Sequence, residues 1–562
     1  MNPSKLSSAR LEPGRETTSC YPAVRKLTLP LVCALALAGP FCFAALSDSD
    51  AGWHVAVGRL ILHGAFPRTN ALSWKWGDHP WYPTSWVFDV LCAGAGTAAG
   101  LQVLVFAFLA LTCFALSFAC ETAPWIVPGV ALLLVPRLVP RPHVASWALL
   151  AGVLALGPRS TRARAVSVAL VALGGNLHSG AAFAAFVLGL ECLEAWTRSR
   201  RGVELWLAAA AAAALLANPG MLFNARYLLE HLLHVSDVIQ LREFEPPSFA
   251  ARPAFYALLP LALLFAVQRR RERPALLVAN VVFAALGLRA LRMVAEAHIV
   301  WAPTLAWALA RIPRRLLAPA ALAAAILAGF SLRLDRTALS LRISPSWNAS
   351  LLPVRAAKFL DDHGISRSGF NAFRDGGYLE MARSGVPAFV DSRVQAIPDE
   401  AWRALQEAEQ SRRGFQAYLG SMGCEWAIAT RVPERLGGYR LLDGPQWALV
   451  YWDEASEVFV RRDVARFAAM REALEYRRFR PYGAIVGAVE KLDRSALLEL
   501  LGEIDRFERT SPGDPFALLD RCAALTRLQA HDRVQACDAA QASAPAPIAG
   551  LVAKARQLRA AP

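Results

Sequence analysis

The sequence predicts an α-helical polytopic membrane bundle of about eleven transmembrane helices, followed by a small extracytoplasmic α/β domain and a helical C-terminal tail. Three observations predict it. The first is composition. The 562 residues are 55% hydrophobic and only 19% charged, with a mean hydropathy of +0.33; a soluble globular chain carries nearer a quarter charged residues. The second is placement. Long apolar runs fill 27–333, whereas 334–562 read as ordinary soluble protein. The third is charge. The excess of +15 falls largely in short arginine clusters between apolar segments: Arg198/Arg200/Arg201, Arg269–Arg271 with Arg273, and Arg311/Arg314/Arg315. That pattern is a topology signature rather than a stripe for nucleic acid, so no nucleic-acid partner is expected.

Residues 1–26 read as a cytoplasmic tail ending in Arg25 and Lys26. The run 27–46 reads as a signal peptide cleaved near Ala44–Ala45 or, the preferred reading because many further spans follow, as an uncleaved first helix. The remaining candidate spans are 84–100, 101–119, 123–138, 142–157, 165–196, 203–218, 254–268, 275–291, 294–310 and 316–333. The span 165–196 is one long helix or two pieces broken near Gly174–Gly175. With the N-terminus inside, alternation puts the three arginine clusters on the cytoplasmic side. It puts loops 47–83 and 219–252, and everything after 333, outside. Arg159, Arg162 and Arg164 fall on the wrong side, which points to mis-segmentation within 142–196 or to an exceptional loop.

The loop 47–83 carries Asp48 and Asp50. Asp50 is a suitable N-cap for a helix over 51–62, with Gly64 closing it and Pro67 stopping it. His54 follows Asp50 by four residues, so the two share a helical face. On a strand, Asp48 and Asp50 would share a face; a solvated turn is the plainer reading of the pair. The loop's aromatics, including Trp53, Trp74, Trp76, Trp81 and Trp86, suit an interfacial belt or a stacking wall for a sugar.

Within 334–462, helices are expected over 353–363 and 399–410. Strands are expected at 367–371, 386–391, 424–430, 446–452 and 456–461, giving a small α/β domain. Residues 463–562 read as helices separated by turns, either tetratricopeptide-like pairs that dock a protein partner or a helical cap. Most cysteines lie in apolar runs as small buried hydrophobes, and no metal spacing is found. Cys522 and Cys537 are the two placed to pair if the tail is extracytoplasmic.

The run from Asp48 through Trp53, His54, Gly58, Gly64 and Pro67 to Ser73, then Pro80-Trp81 and Ser85-Trp86, resembles the first outer loop of bacterial GT-C-type integral membrane glycosyltransferase-like proteins. Asn176-Leu-His178-Ser-Gly180, Asn218-Pro219, Glu243-Phe-Glu-Pro246-Pro-Ser-Phe249, and Arg289 with Arg292 are similar to further segments of that group. So are Phe370-Asn371, Gly376-Gly377-Tyr378-Leu379 and Val390-Asp391-Ser-Arg393 after the membrane. The resemblance spans most of 27–460. Two departures stand out: Gly52-Trp53-His54 where Trp-Trp-His is commoner, and Phe244 where Trp is usual.

The resemblance implies a GT-C-like fold in a bacterial inner membrane, and transfer of a sugar from a polyprenyl-phosphate donor to an envelope glycan, lipid or protein on the outer face, with inversion. It implies a loop carboxylate as base, Asp48 or Asp50, with Asp50 favoured. It also implies an optional divalent cation, Mg or Mn, held by Asp48, Asp50 and His54. Arg289 and Arg292, three apart on a helix, would clamp the donor phosphate; pairing of Arg292 with Glu296 is the alternative. Asn176, His178 and Glu243 would line the cavity, or else serve interhelical hydrogen bonds and loop capping. Asp391 and Arg393 read as a structural turn, or else as facing the membrane cavity. Two rival functions remain: a non-catalytic scaffold for envelope polysaccharide assembly, and a transporter of lipid-linked sugars.

Overall fold

The computed structural model describes residues 21–220, 223, 226, 242–313, 343–383, 385–430, 441–480, 489 and 491–543. The expected span 316–333 and most of the loop 219–252 therefore lie outside the described residues.

The helical part comprises α1 (Tyr21–Ala38), α2 (Asp50–Leu62), α3 (Trp86–Ala95), α4 (Ala98–Ala119), α5 (Ile126–Leu134), α6 (His143–Leu156), α7 (Thr161–Leu177), α8 (Ala181–Ser199), α9 (Gly202–Ala214), α10 (Pro253–Gln268), α11 (Pro274–Arg289) and α12 (Val294–Leu309). Only α4, among the described residues, is long and apolar enough to cross a membrane by itself. Others, such as Leu27–Phe43, Ile126–Arg137 and Pro253–Gln268, are apolar but shorter. The bundle buries one continuous apolar core that runs from Ala34 on α1 to Ala306 on α12. Its outside is also apolar: Leu29, Val32, Val103, Leu111, Phe114, Leu173, Leu264 and Val281 are exposed. A soluble monomer rarely shows so much.

Side-chain contacts assign the helix ends. Arg137, His143, His178 and Arg292 meet at one end. Arg159, Arg269 and Arg273 meet at the other, where Arg164 also pairs with Glu204 at 2.7 Å. Two sequence expectations change as a result. The candidate span 84–100 is no separate traverse. Gly96, at φ +65°, ends α3 and Thr97 caps α4, its Oγ1 accepting the Gly100 N–H. At the start of α4, Gln102 Nε2 donates to Ala44 O at 2.8 Å, so α3 stays at the same end as α2. The span 165–196 is two helices, α7 and α8. The break falls at His178, which turns to β geometry (φ −167°, ψ 145°), rather than at Gly174–Gly175, which α7 passes straight through. The two differences offset in number, and they move Arg159 and Arg164 to the end that carries the other arginine clusters.

The second part contains α13 (Val354–Asp362), α14 (Gly376–Ala382), α15 (Asp399–Ala408), α16 (Arg412–Met422) and α17 (Ala468–Leu474). Its sheet has β1 (Gly369–Asn371), β2 (Trp426–Thr430), β3 (Trp447–Trp452) and β4 (Ser456–Arg461) in the order β1-β2-β4-β3. β1 pairs parallel to β2; the other pairs are antiparallel. The expected strand 386–391 is absent from the sheet. Ala388 instead bridges Ser73 of the outer loop, and Asn371 Oδ1 accepts the Phe389 N–H at 2.7 Å.

The outer-loop aromatics bind the two parts together. Trp74 and Trp76 pack on Phe389, and Trp81 lies 4.4 Å from the Arg393 guanidinium. Trp53, Trp74, Trp76 and Trp81 are a shared core rather than a belt, whereas Trp86 bonds Asn176 of the bundle. Gly52 explains its own departure from Trp. A Cβ there would come within 2.1 Å of the Gly377 carbonyl oxygen, because α2 crosses α14 at backbone contact.

The tail forms α18 (Arg494–Glu508), α19 (Pro515–Arg527) and α20 (Arg533–Ser543), and Cys522 and Cys537 form a disulfide between α19 and α20. The bond closes a loop of 15 residues, which stabilises by roughly 3 kcal/mol through the unfolded chain. Cys522→Ser should lower local stability by on the order of 2–4 kcal/mol. Hydrogen exchange should then quicken across 515–543 and stay unchanged in the bundle.

Candidate active site between the bundle and the C-terminal domain

The site forms where the outer loop, four inter-helix turns and the C-terminal domain converge. α2 begins at Asp50 itself, with Ser49 at the cap position and no side-chain cap. Asp48 Oδ1 accepts the Asp50 N–H at 3.1 Å. Thus Asp50 is the first residue of the helix rather than its cap, and its carboxyl is available for other partners.

Those partners are Arg141 and Ser392. Arg141 sits in Val139-Pro140-Arg141-Pro142, where flanking prolines restrict the backbone between α5 and α6. Its Nε and Nη2 donate to Asp48 Oδ2 and Oδ1 at 2.5 and 3.0 Å. Nη2 also lies 3.0 Å from Asp50 Oδ2. The Ser392 hydroxyl donates to Asp50 Oδ1 and accepts from Trp53 Nε1 at 3.1 Å. Burial pushes the Asp50 carboxyl up to about 7; Asp48 and Glu243 add to the rise, and Arg141 and Ser392 oppose it. A carboxyl so placed exchanges its proton near neutral pH.

Glu243 stands among three guanidinium groups: Arg141 at 3.6 Å, Arg137 at 3.7 Å and Arg292 at 3.9 Å. Arg292 also lies 4.8 Å over the Phe244 ring. A polar cavity of about 140 Å³ opens here, lined by Asp50, His54, Arg141, His178, Glu243 and Arg292 among others. On the far side of the Asp50–Arg141 pair lies a second cavity of about 570 Å³, whose apolar wall comes from Phe41, Cys42, Leu46, Val135 and Leu138. Asp50, Arg141 and Ser392 border both.

The other expected residues divide. His54 lines the polar cavity, but its Nδ1 bonds Asp89 Oδ1 at 2.5 Å. Burial, with Arg141 and Arg393 nearby, holds its ring below the usual histidine range and so neutral. The Mg or Mn expectation does not fit this donor set. Asp48 and Asp50 close on a guanidinium, His54 turns to Asp89, and no three His, Cys, Asp or Glu side chains are placed to hold a metal ion among the described residues.

His178 lines the cavity; its Nδ1 accepts the Gly180 N–H at 3.1 Å and meets Ser146 Oγ at 2.7 Å. Asn176 serves the bundle instead, donating to Ala172 O and Ala217 O and accepting from Trp86 Nε1 at 2.6 Å. Arg289 and Arg292 share no helix. α11 ends at Arg289, Ala290 is extended, and Arg292 lies in the next turn. Arg289 is exposed and outside the cavity. Arg292 faces Glu243, while Glu296 accepts from Trp147 Nε1 at 3.0 Å.

Asp391 and Arg393 form a structural turn, and Arg393 also lines the polar cavity. Arg393 is buried, binds Asp391, and donates to Asn70 Oδ1 at 2.8 Å. That turn presents Ser392 to Asp50.

No family model and no curated protein matches the chain. Solved structures do. Oligosaccharyltransferase AglB of Archaeoglobus fulgidus, determined with an inhibitory peptide and a dolichol-phosphate, matches 73% of this chain and 69% of its own at 10% identity and TM-score 0.47. Arabinofuranosyltransferase AftD from Mycobacteria matches 79% of this chain and 41% of its own at 14% identity and TM-score 0.45. ArnT of Cupriavidus metallidurans matches 79% of this chain and 99% of its own at 13% identity and TM-score 0.43. The chain is similar to all three. They are GT-C-type membrane glycosyltransferases, the group that the outer-loop motifs resemble. Likenesses at this level carry no reaction across to this chain.

Proposed function

We propose that the protein is an integral membrane glycosyltransferase of the bacterial inner membrane. It takes a sugar from a polyprenyl-phosphate donor and transfers it, with inversion, to an envelope acceptor on the outer face. The observation that carries the reading is Asp50, a carboxyl poised near pH 7 at the junction of an apolar cavity and an arginine-rich polar one. The apolar cavity suits the lipid, and the polar cavity suits the phosphosugar. Ionised Asp50 takes the acceptor hydroxyl proton as that oxygen bonds the anomeric carbon. The bond from that carbon to the phosphate oxygen breaks, and its electron pair leaves with the polyprenyl phosphate. Arg141 and Arg292, with Arg137 beside them, offset the charge on the leaving phosphate. Glu243 holds these guanidinium groups together until the phosphate takes its place. The exposed apolar belt supports the bilayer, spanned by α1 and α4–α12. The Cys522–Cys537 disulfide supports an oxidising compartment for the tail.

The test is transfer from radiolabelled polyprenyl-phosphate sugars by purified protein in lipid. Wild type should transfer; Asp50→Asn should not. Ser392→Ala tests the contribution of the C-terminal domain. The hydroxyl favours the ionised carboxyl, so its loss should shift the pH midpoint of transfer upward by about half to one unit. A lowered rate with an unmoved midpoint would make Ser392 merely structural.

A further inference from the structure

At the opposite end of the bundle, the helix ends enclose a cavity of about 240 Å³. Three arginines line it from two turns: Arg159 after α6, and Arg269 and Arg273 at the two ends of the α10–α11 turn. One carboxylate lines it, Glu121, which lies 3.6 Å from Arg159 and is largely exposed. Thr122 adds a polar side chain, and the rest of the wall is apolar or aromatic, with Phe118, Leu154, Leu276 and Trp307.

Arg159 Nε donates to Ala155 O at 2.8 Å, but Arg269 and Arg273 are not fully spent on protein partners. Arg273 binds Glu191, and its Nε lies 3.3 Å from Glu194 without forming a hydrogen bond. Arg269 lies 5.0 Å over Trp307 and 3.7 Å from Glu272, and its Nε is likewise buried without a hydrogen-bond partner. Arg311 adds a fourth positive charge 3.6 Å over the same Trp307 ring. Buried guanidinium N–H groups without acceptors call for an oxygen-rich anion. Apolar walls beside them call for one that carries hydrocarbon.

We propose that this cavity binds the phosphodiester headgroup of an anionic phospholipid from the leaflet opposite the candidate active site. The inference rests on the membrane reading but not on sugar transfer. Arg159, Arg269 and Arg273 take the phosphate oxygens, and the acyl chains leave along Phe118 and Leu154. A basic pocket between helix ends is suited to such a headgroup. Free inorganic phosphate shares the anion chemistry but lacks the chains, so the two sources separate by experiment.

The full chain is purified in detergent, exposed to phosphatidylglycerol, phosphatidylcholine or inorganic phosphate, and read by native mass spectrometry for bound lipid and by thermal stability. Recovery of the wild type in the soluble fraction without detergent, scored before lipid is added, would sink the membrane reading itself. Wild type should retain phosphatidylglycerol over phosphatidylcholine, and only that lipid should raise its melting temperature. Arg159→Gln with Arg269→Gln should cut the preference by about fivefold per charge removed. Glu121→Gln should increase it, a gain that misfolding cannot mimic. Arg162→Gln, an exposed neighbour outside the cavity, should change nothing. Equal stabilisation by inorganic phosphate would overturn the lipid assignment. Equal retention of both lipids, or an Arg162 effect as large as that of the double variant, would overturn the site.

Discussion

Arg141→Gln should abolish transfer, by on the order of a thousandfold, since loss of one preorganised charge contact alone costs a hundred to a thousandfold. Arg141 touches Asp48, Asp50 and Glu243, so it joins the proposed base to the proposed phosphate site. Its removal leaves three carboxyls facing one another with Arg137 and Arg292 to one side. The Asp50 carboxyl then loses the strongest influence holding it down, and at neutral pH it stays protonated. Arg141→Lys should not restore activity. One ammonium cannot make the parallel contacts to both Asp48 oxygens that the planar guanidinium makes. Arg141→Gln combined with Asp48→Asn separates folding from chemistry, because it removes a like charge along with the counter-charge. That double variant should recover the melting temperature and remain inactive. Recovery of transfer would mean that Arg141 serves only to hold the fold.

Arg141 was also the residue least legible in the sequence, for a physical reason. Asp48, Asp50 and His54 stood out because polar residues beside an apolar run carry their own signal. Glu243 and Arg292 were visible through the resemblance. Arg141 lies between candidate spans whose segmentation was wrong by one traverse. α3 is apolar enough to imitate a span but is pinned to α2 through His54 and Asp89. The bend at His178 interrupts an apolar run without a proline to mark it. Charge carried the missing information. Arg159 and Arg164 break the expected positive-inside pattern, and moving them across moves Arg137 and Arg141 to the opposite end. In the proposed orientation arginines there run against the rule and so become candidates for function. The strand expected at 386–391 failed for a related reason. Its residues form a short apolar run as a buried strand would, yet their partner is the outer loop, over three hundred residues earlier, and a local apolar run carries no partner identity. The same long-range docking places Ser392 on Asp50, a contact that no spacing in the sequence encodes.

Asp50→Asn should eliminate the base, and the pH dependence of the wild type should identify it. The Asp50 carboxyl titrates at about 7, raised from an ordinary carboxylate value chiefly by burial. Transfer that needs the ionised form should fall about tenfold per pH unit below 7 and level off above it. Stability should move the other way. The folded state holds the Asp50 proton up to about pH 7, whereas the unfolded chain releases it near 4. The folded state therefore binds more protons between those values, and stability declines as pH rises through that window, then stops declining. Asp50→Asn removes the titration: its melting temperature should be flatter from pH 4 to 7 than that of the wild type, and higher relative to it at pH 8. A variant that loses transfer while gaining stability at alkaline pH cannot owe the loss to unfolding. If Asp48→Asn instead abolished transfer and Asp50→Asn preserved both rate and pH midpoint, the base would be Asp48. Asp50 would then be a buried carboxyl that fastens the outer loop to Ser392.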